Sequence, residues 1–137
     1  MEIRMEYKEF RTERMQDVYG LYERAGWKAY LGDRDKLFRT LKQSLYILGA
    51  FKGARLVGFI RCVGDGEHIV YVQDLIVDTE FKRQKIGKTL LKMAMEKYAD
   101  VRMFTLLTDA QDEESNAFYR AVGMKTCEEH GLRGYFR

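Results

Sequence analysis

The chain has 137 residues, of which 46% are hydrophobic and 33% are charged, a composition that excludes a disordered or fibrous protein. Its net charge of +3 is too small to indicate a nucleic-acid-binding surface by itself. Proline is absent, and no repeat or low-complexity linker divides the chain. We therefore predict one domain over residues 1–137.

The sequence offers no feature typical of a secreted, membrane or metal-binding protein. The N-terminus lacks the apolar block of a signal peptide, and the longest near-apolar stretch, residues 69–77, is too short to span a bilayer. Cys62 and Cys127 lack a CxxC spacing and are expected to be free thiols. His68 and His130 belong to no ligand pattern. We expect a soluble cytoplasmic protein with no metal site and no membrane or nucleic-acid partner.

The first half of the chain predicts a strand, two helices and three further strands. Residues 3–10 form the first strand, and Thr12 is a candidate N-cap for a helix that runs through Ala25 and ends at Gly26. A second helix is predicted over residues 33–41. Three strands follow, separated by glycine-containing turns, over residues 45–51, 54–63 and 68–77.

The second half alternates helices and strands. Residues 87–98 have one apolar stripe at helical spacing, and residues 103–107 form a short buried strand. Asp112 is a candidate cap for a helix that ends near Gly123. Two last strands are predicted over residues 124–128 and 133–136. The order β-α-α-β-β-β-α-β-α-β-β indicates the α/β class, with a mixed, largely antiparallel central sheet flanked by helices.

A basic cluster lies at the junction between the strand predicted over residues 68–77 and the helix predicted over residues 87–98. It consists of Lys82, Arg83, Lys85 and Lys88. A helix start exposes unpaired backbone N–H groups and the positive end of the helix dipole, so cations placed there suit a pyrophosphate. Gly87 would let a ligand approach the backbone. The alternative is a solvated, charge-rich helix start.

This segment resembles the coenzyme A motif of the GNAT superfamily of N-acetyltransferases, Gln/Arg-x-x-Gly-x-Gly/Ala. Residues 82–87 take the place of this motif. They depart from it at Lys82, where Gln or Arg is usual, and at Lys85, which replaces the first glycine. The resemblance implies that acetyl-CoA is the co-substrate. It also implies that its contacts come from Leu75, Ile76, Val77, Lys82, Arg83, Gln84, Lys85, Ile86, Gly87, Lys88 and Thr89.

The predicted final helix also resembles that family. Its residues resemble the pattern A-x-x-x-Y-x-x-x-G-F, with Tyr119 at the tyrosine position and Gly123-Met124 at the place of Gly-Phe. The element order agrees as well, so the resemblance covers nearly all 137 residues. It implies that Asn116 and Tyr119 contact the cofactor.

The resemblance implies direct attack of a primary amine on the thioester in a ternary complex. Backbone N–H groups of Leu75 and Val77 would bind the thioester arm, and Tyr119 would protonate the departing thiolate. Asp74 is our candidate for the base, with Tyr71 and Gln73 as alternatives. The alternative for Asp74 is a structural role, in which backbone groups or Lys and Arg side chains nearby satisfy its carboxylate.

The acceptor amine is expected near the two N-terminal helices. Tyr22, Trp27 and Tyr30 form an aromatic cluster there, which either contacts a cationic amine or only seals the helix connection. We favour a small-molecule amine, and exposed strand edges make a homodimer plausible. Two other functions stay open: a non-catalytic domain that senses acyl-CoA, and a nucleic-acid-binding domain that uses the basic cluster.

Overall fold

The computed structural model describes residues 3–137, which form two compact units, residues 3–106 and residues 107–137. The single-domain assignment of the whole chain stays a prediction. The first unit contains five strands and three helices. They are β1 (Met5–Glu9), α1 (Met15–Ala25), α2 (Arg34–Gln43), β2 (Tyr46–Lys52), β3 (Arg55–Gly64), β4 (Ile69–Val77), α3 (Ile86–Lys97) and β5 (Met103–Leu106).

The five strands form one sheet in the order β1-β2-β3-β4-β5. The first three pairings are antiparallel, and β5 pairs with β4 in parallel. The hairpin turns that the sequence indicated account for the β2–β3 and β3–β4 pairs, whereas α1 and α2 connect β1 to β2. The parallel pair follows from the crossover through α3. The predicted mixed, largely antiparallel sheet is therefore confirmed.

Helices α1 and α2 cover one group of core residues, and α3 packs on β2, β3 and β4. The central strands are apolar at nearly every position because both of their faces are covered. The core under α1 and α2 consists of Phe10, Val18, Leu21, Tyr22, Leu37, Leu41, Ile47, Phe51, Leu56, Phe59 and Ile76.

The ends of the first two helices follow the expected local rules, with one shift. Gly26 ends α1 in the left-handed region (φ 73°), and the Asp33 carboxylate accepts the Lys36 N–H at 2.9 Å to begin α2. Thr12 does not cap α1; it begins a 3-10 helix, Thr12–Arg14, that precedes α1. Among residues 3–137, no helix has the length and hydropathy needed to cross a membrane.

The second unit contains one α-helix, α4 (Glu113–Ala121). Asp112 caps it as predicted, because its carboxylate accepts the Ser115 N–H at 3.0 Å. No residue of α4 is fully buried.

The two C-terminal strands predicted over residues 124–128 and 133–136 are wrong, since neither segment is a strand in the structure. Thr126 and Glu129 form a capping box instead: each side chain accepts the other residue's backbone N–H, at 3.3 and 3.0 Å. That pairing begins the 3-10 helix Glu128–His130. Residues 133–137 are exposed and pair with no described strand, so their alternating apolar pattern has no sheet to join.

Candidate functional site

The segment from β4 to α3 carries most of the predicted cofactor residues on one continuous stretch. Strand β4 ends at Val77, a 3-10 helix follows over Thr79–Phe81, and α3 begins at Ile86. Ile86 is 2% exposed and anchors the loop to the core. The remaining loop side chains point outward: Lys82, Arg83, Gln84, Lys85 and Lys88 are exposed, and Gly87 and Thr89 are half-buried.

Asp78 attaches this loop to the sheet. Its carboxylate accepts the Glu80 N–H and forms ion pairs with Arg24 and Arg55, both at 3.1 Å. Its own N–H donates to the Val57 carbonyl on β3 at 2.8 Å. Burial alone would raise the Asp78 pKa, but the Glu80 N–H and the two guanidinium groups together hold that pKa below its usual value.

The start of α3 has the features of an anion-binding site. No side chain caps the helix, and within residues 3–137 no carboxylate pairs with Lys82, Arg83, Lys85 or Lys88. The first-turn N–H groups of a helix lack intrahelical acceptors. A left-handed residue directly before helical residues turns successive N–H groups into one concavity that suits phosphate oxygens. Lys85, with φ 63° and ψ 21°, is such a residue.

The conformation of Lys85 explains the departure from the family motif. The motif glycine is replaced, yet the backbone keeps the left-handed region that glycine adopts without strain. Arg83 also has a positive φ, of 67°. A non-glycine residue in this region is strained by about 1–2 kcal/mol. Thr89 partly supports the turn, since its N–H and its hydroxyl both donate to the Lys85 carbonyl.

We expect Lys85→Gly to raise the free energy of unfolding by up to about 1 kcal/mol, because relief of left-handed strain exceeds the entropy that glycine loses on folding. The matched control is Lys92→Gly, at an exposed position inside α3. That change removes the same charge but should lower stability by about 1 kcal/mol. Urea unfolding of the three proteins measures both values, and equal losses in the two variants would contradict the strain argument.

A bulge divides β4 into two parts. Cys62 pairs with Val72 and Arg61 pairs with Asp74, so Gln73 is the extra residue in β4. Residues opposite each other in an antiparallel pair share a face. The bulge therefore moves Asp74 and Ile76 to the face of Arg61 and Phe59, whereas Val72 lies on the face of Cys62.

The second part of β4 directs two N–H groups away from β3. The Asp78 N–H donates to Val57 on β3, and successive N–H groups along a strand alternate between its two edges. The N–H groups of Leu75 and Val77 therefore point to the opposite edge. On that edge the pairing with β5 ends at Val72 and Leu106. The side chain of Ile76 packs in the core and its N–H points to β3, so the structure does not support the predicted cofactor contact of Ile76.

Asp74 is buried and held by three donors. Arg61 Nε and the Tyr22 hydroxyl both donate to Oδ2 at 2.6 Å, and the Tyr30 hydroxyl donates to Oδ1 at 2.7 Å. The Asp74 side chain is 1% exposed and that of Arg61 5%. Of the two roles that the sequence left open, these contacts fit the carboxylate satisfied by its neighbours.

The same contacts set the protonation of the groups around Asp74. Burial, followed by the charge and hydrogen bond of Asp74, raises the pKa values of Tyr22 and Tyr30. Burial works to lower the pKa of Arg61, but the Asp74 charge outweighs it and the pKa is raised. At neutral pH both phenols are therefore donors, and Arg61 is a cation.

The aromatic cluster predicted near the acceptor is partly inside the core. Tyr22 is 0% exposed, so its ring lies behind the surface, stacked on Trp27 at 5.9 Å and on Tyr30 at 4.3 Å between ring centroids. Trp27 and Tyr30 are half-buried. The Tyr30 hydroxyl also accepts from Gln73 Nε2 at 3.1 Å and from Arg61 Nη2 at 3.3 Å. Only Trp27 and Tyr30 keep surface for a ligand.

Asn116 and Tyr119 lie in the second unit, on α4. The Asn116 amide nitrogen donates to the carbonyls of Asp109 and Asp112, at 2.9 and 2.7 Å, and so holds the loop before α4. The Tyr119 ring is half-buried and contacts the Phe118 ring edge-on, with centroids 5.2 Å apart. Cofactor contacts by both residues stay predictions.

Arg61 and Ser44 also belong to this site, although neither was predicted from the sequence. Arg61 Nη1 donates to Ser44 Oγ at 3.2 Å, so the buried guanidinium is bonded at Asp74, Tyr30 and Ser44. A signal was present: Arg61 interrupts an apolar strand, as Asp74 does in the next strand. Two opposite charges in neighbouring buried strands indicate an ion pair, since a buried charge requires a partner.

Comparison with known proteins identifies the family. The model of the acetyltransferase (GNAT) family matches residues 7–124. A GNAT family acetyltransferase from Streptococcus pneumoniae is 33% identical, with a TM-score of 0.85 over 98% of this chain and 97% of that chain. AAC(6')-Iy, solved in complex with the bisubstrate analogue CoA-S-monomethyl-acetylneamine, is 16% identical. Its TM-score is 0.73 over 98% of this chain and 97% of that one.

A curated relative is longer than this chain. The histone acetyltransferase TAP1 of Glycine max is 28% identical over 88% of this chain. The chain spans only 55% of the length of that relative.

Proposed function

This chain belongs to the GNAT family of acetyltransferases, and we propose that it transfers the acetyl group of acetyl-CoA to a primary amine of a small molecule. The family makes it an acyltransferase with acetyl-CoA as co-substrate. The observation that carries the proposal is the uncapped, cationic start of α3, which the loop over residues 78–85 joins to β4, a strand with two N–H groups directed away from β3.

Two groups of atoms on this segment suit two parts of acetyl-CoA. The N–H groups at the start of α3, with Lys82, Arg83 and Lys88 around them, suit the pyrophosphate. The N–H groups of Leu75 and Val77 suit the amide and carbonyl oxygens of the thioester arm. An N–H donated to the thioester carbonyl would stabilise the oxyanion that forms on attack, by roughly 3 kcal/mol.

The amine attacks the thioester carbon directly. Its lone pair forms the new C–N bond, the C–S bond breaks as the tetrahedral intermediate expels the CoA thiolate, and the amine nitrogen loses one proton to solvent water. Cys62 does not suit a covalent route, because it is fully buried and that burial raises its pKa to about 12. Cys127 is half-buried in the second unit. Tyr119 is proposed to give its proton to the thiolate.

Asp74 is proposed to act through its hydrogen bonds rather than as the base in direct contact with the amine. Both of its oxygens are occupied by Arg61, Tyr22 and Tyr30. A neutral fraction of the amine, delivered from solvent, is sufficient for attack when the amine pKa is near the working pH.

Small amines fit the features around α1 and α2 better than a peptide does. The connection between these helices is short, residues 26–33, and has no insert that could hold an extended chain. Trp27 and Tyr30 offer aromatic surface, which attracts a cationic amine. The AAC(6')-Iy complex is consistent with this class of acceptor, whereas the soybean relative favours protein lysines as the competing class.

The second candidate function is a domain that binds acyl-CoA without catalysis. Lys85 at the motif glycine favours it, because its side chain extends from the place where the motif leaves the backbone bare. We also propose a cytoplasmic location, supported by two free cysteines. The homodimer stays a prediction, which the mass of the protein in solution tests.

The proposal is tested by titrating the protein with acetyl-CoA in a calorimeter and then following thiol release with a panel of amines. The panel contains aminoglycosides, polyamines and a lysine-containing peptide. We expect micromolar binding, about 7–9 kcal/mol, and amine-dependent thiol release with a small amine. Binding without acceleration by any amine would favour the sensor, release only with the peptide would assign a protein acceptor, and absence of binding would overturn the proposal.

A further inference from the structure

We propose that Arg61, Asp74 and Tyr30 form a clamp that holds the β4 bulge at Gln73 and thereby directs the Leu75 and Val77 N–H groups toward acetyl-CoA. The three are positioning residues, since none is proposed to touch a reacting atom. The inference rests on the proposed function only for the identity of the ligand. The bulge and its clamp are features of the folded chain and can be tested without any ligand.

The clamp holds the extra residue of the bulge and the residue that follows it. Asp74, directly after the extra residue, pairs across the strands with Arg61 through a bond of 2.6 Å. Gln73, the extra residue, donates its side-chain amide to the Tyr30 hydroxyl, which in turn donates to Asp74 Oδ1. Gln73 and Asp74 are thus tied to the same phenol, and that phenol lies within 3.3 Å of Arg61 Nη2.

The bulge decides the direction of the amides. Val63 pairs with Tyr71 and Cys62 with Val72, so the same register without a bulge would oppose Arg61 and Gln73. The Leu45 N–H donates to the Cys62 carbonyl, so the backbone N–H and carbonyl groups of Cys62 face β2. Those of the neighbouring residue Arg61 therefore face β4. An unbulged β4 would therefore turn the Leu75 and Val77 N–H groups into the pairing with β3. The extra residue, Gln73, instead turns the Leu75 and Val77 N–H groups away from β3.

The unbulged register would also leave Arg61 without its carboxylate. Asp74 would shift to the other face of the sheet, and a buried guanidinium without a counter-ion is strongly unfavourable. The ion pair therefore selects the bulged register over the regular one. This is a use of buried charge to specify one backbone arrangement among alternatives.

The test is Tyr30→Phe, which removes the hydroxyl that joins Gln73 to Asp74 and keeps the ring that stacks on Tyr22. The matched control is Tyr19→Phe, which removes one hydroxyl from α1 that accepts the Gly32 N–H at 3.2 Å instead of bonding to a clamp residue. Two quantities are measured for each protein: the ¹⁵N–¹H amide shifts of Gln73, Leu75 and Val77, and the calorimetric Kd for acetyl-CoA.

We expect Tyr30→Phe to move these amide shifts and to weaken acetyl-CoA binding about fivefold, the equivalent of one net hydrogen bond. Tyr19→Phe should change neither quantity. Unchanged shifts in Tyr30→Phe would overturn the clamp, even if its melting temperature falls. Shifts that move while the Kd stays within twofold would overturn the link to the ligand. If the unmodified protein binds no acetyl-CoA, the proposed function fails and the amide shifts still decide the clamp.

Discussion

Replacing Arg61 with methionine is expected to lower the free energy of unfolding by about 3–5 kcal/mol. The substitution keeps the volume of the side chain but leaves the Asp74 carboxylate buried beside two phenols with no cation. Burying a charge without a partner costs far more than losing an exposed pair. Urea unfolding followed through the fluorescence of Trp27, the one tryptophan in the chain, measures the change.

Two controls separate this effect from a general effect of losing an arginine. Arg120→Met removes an exposed arginine, paired with Glu129 at 3.2 Å, and should leave the free energy of unfolding nearly unchanged. The double variant Arg61→Met/Asp74→Leu removes both buried charges and should recover part of the loss, although the buried Tyr22 hydroxyl then lacks its acceptor. If Arg61→Met were as stable as Arg120→Met, the buried pair would have no part in stability.

Replacing Tyr119 with phenylalanine is expected to reduce turnover at least about tenfold while acetyl-CoA binding stays within about twofold. Phenols and thiols in general have reference pKa values close enough for a proton to pass from a phenol to a thiolate as the C–S bond breaks. Loss of the proton donor slows expulsion of the thiolate, whereas the ring remains to fill the same space. Thiol release at saturating amine and acetyl-CoA gives kcat, and calorimetry gives Kd.

The control for this variant is Tyr135→Phe, a phenol of the same unit that is 89% exposed. It should leave both turnover and binding unchanged. A Tyr119→Phe protein with unchanged kcat would remove Tyr119 from the mechanism, and water would be the remaining proton donor. A fall in kcat at pH 7 that disappears with a CoA analogue of lower thiol pKa would support the assignment, since a better leaving group needs no acid.

The elements of the first unit were predictable because each depends on local pattern. Strand alternation, helical stripes and the Gly26 end are decided by residues within a few positions of one another, as is the Asp112 cap of α4 in the second unit. The two C-terminal strands failed for the same local reason. A Thr-x-x-Glu capping box at Thr126 and Glu129 outweighs the weak alternation of apolar residues around it.

The candidate site was also predictable only where it depends on neighbouring residues. The segment from β4 to α3, proposed to hold the cofactor, is contiguous in sequence, so its basic cluster and the start of α3 could be identified from residue order alone. The left-handed backbone of Lys85 was not evident, because a lysine carries no sign of a positive φ. The role of Asp74 was left open, since its partners Tyr22 and Tyr30 are 52 and 44 positions away in the chain.

The sequence by itself determined the family, the order of the elements up to α4 and the position of the basic loop, because these follow from short-range periodicity and from motif residues in order. Only the tertiary structure decided the register of β4. A regular hairpin predicts Gln73 opposite Arg61, and a single extra residue changes this to Asp74. The choice depends on a buried charge finding its partner across two strands, a long-range energy that no local pattern contains.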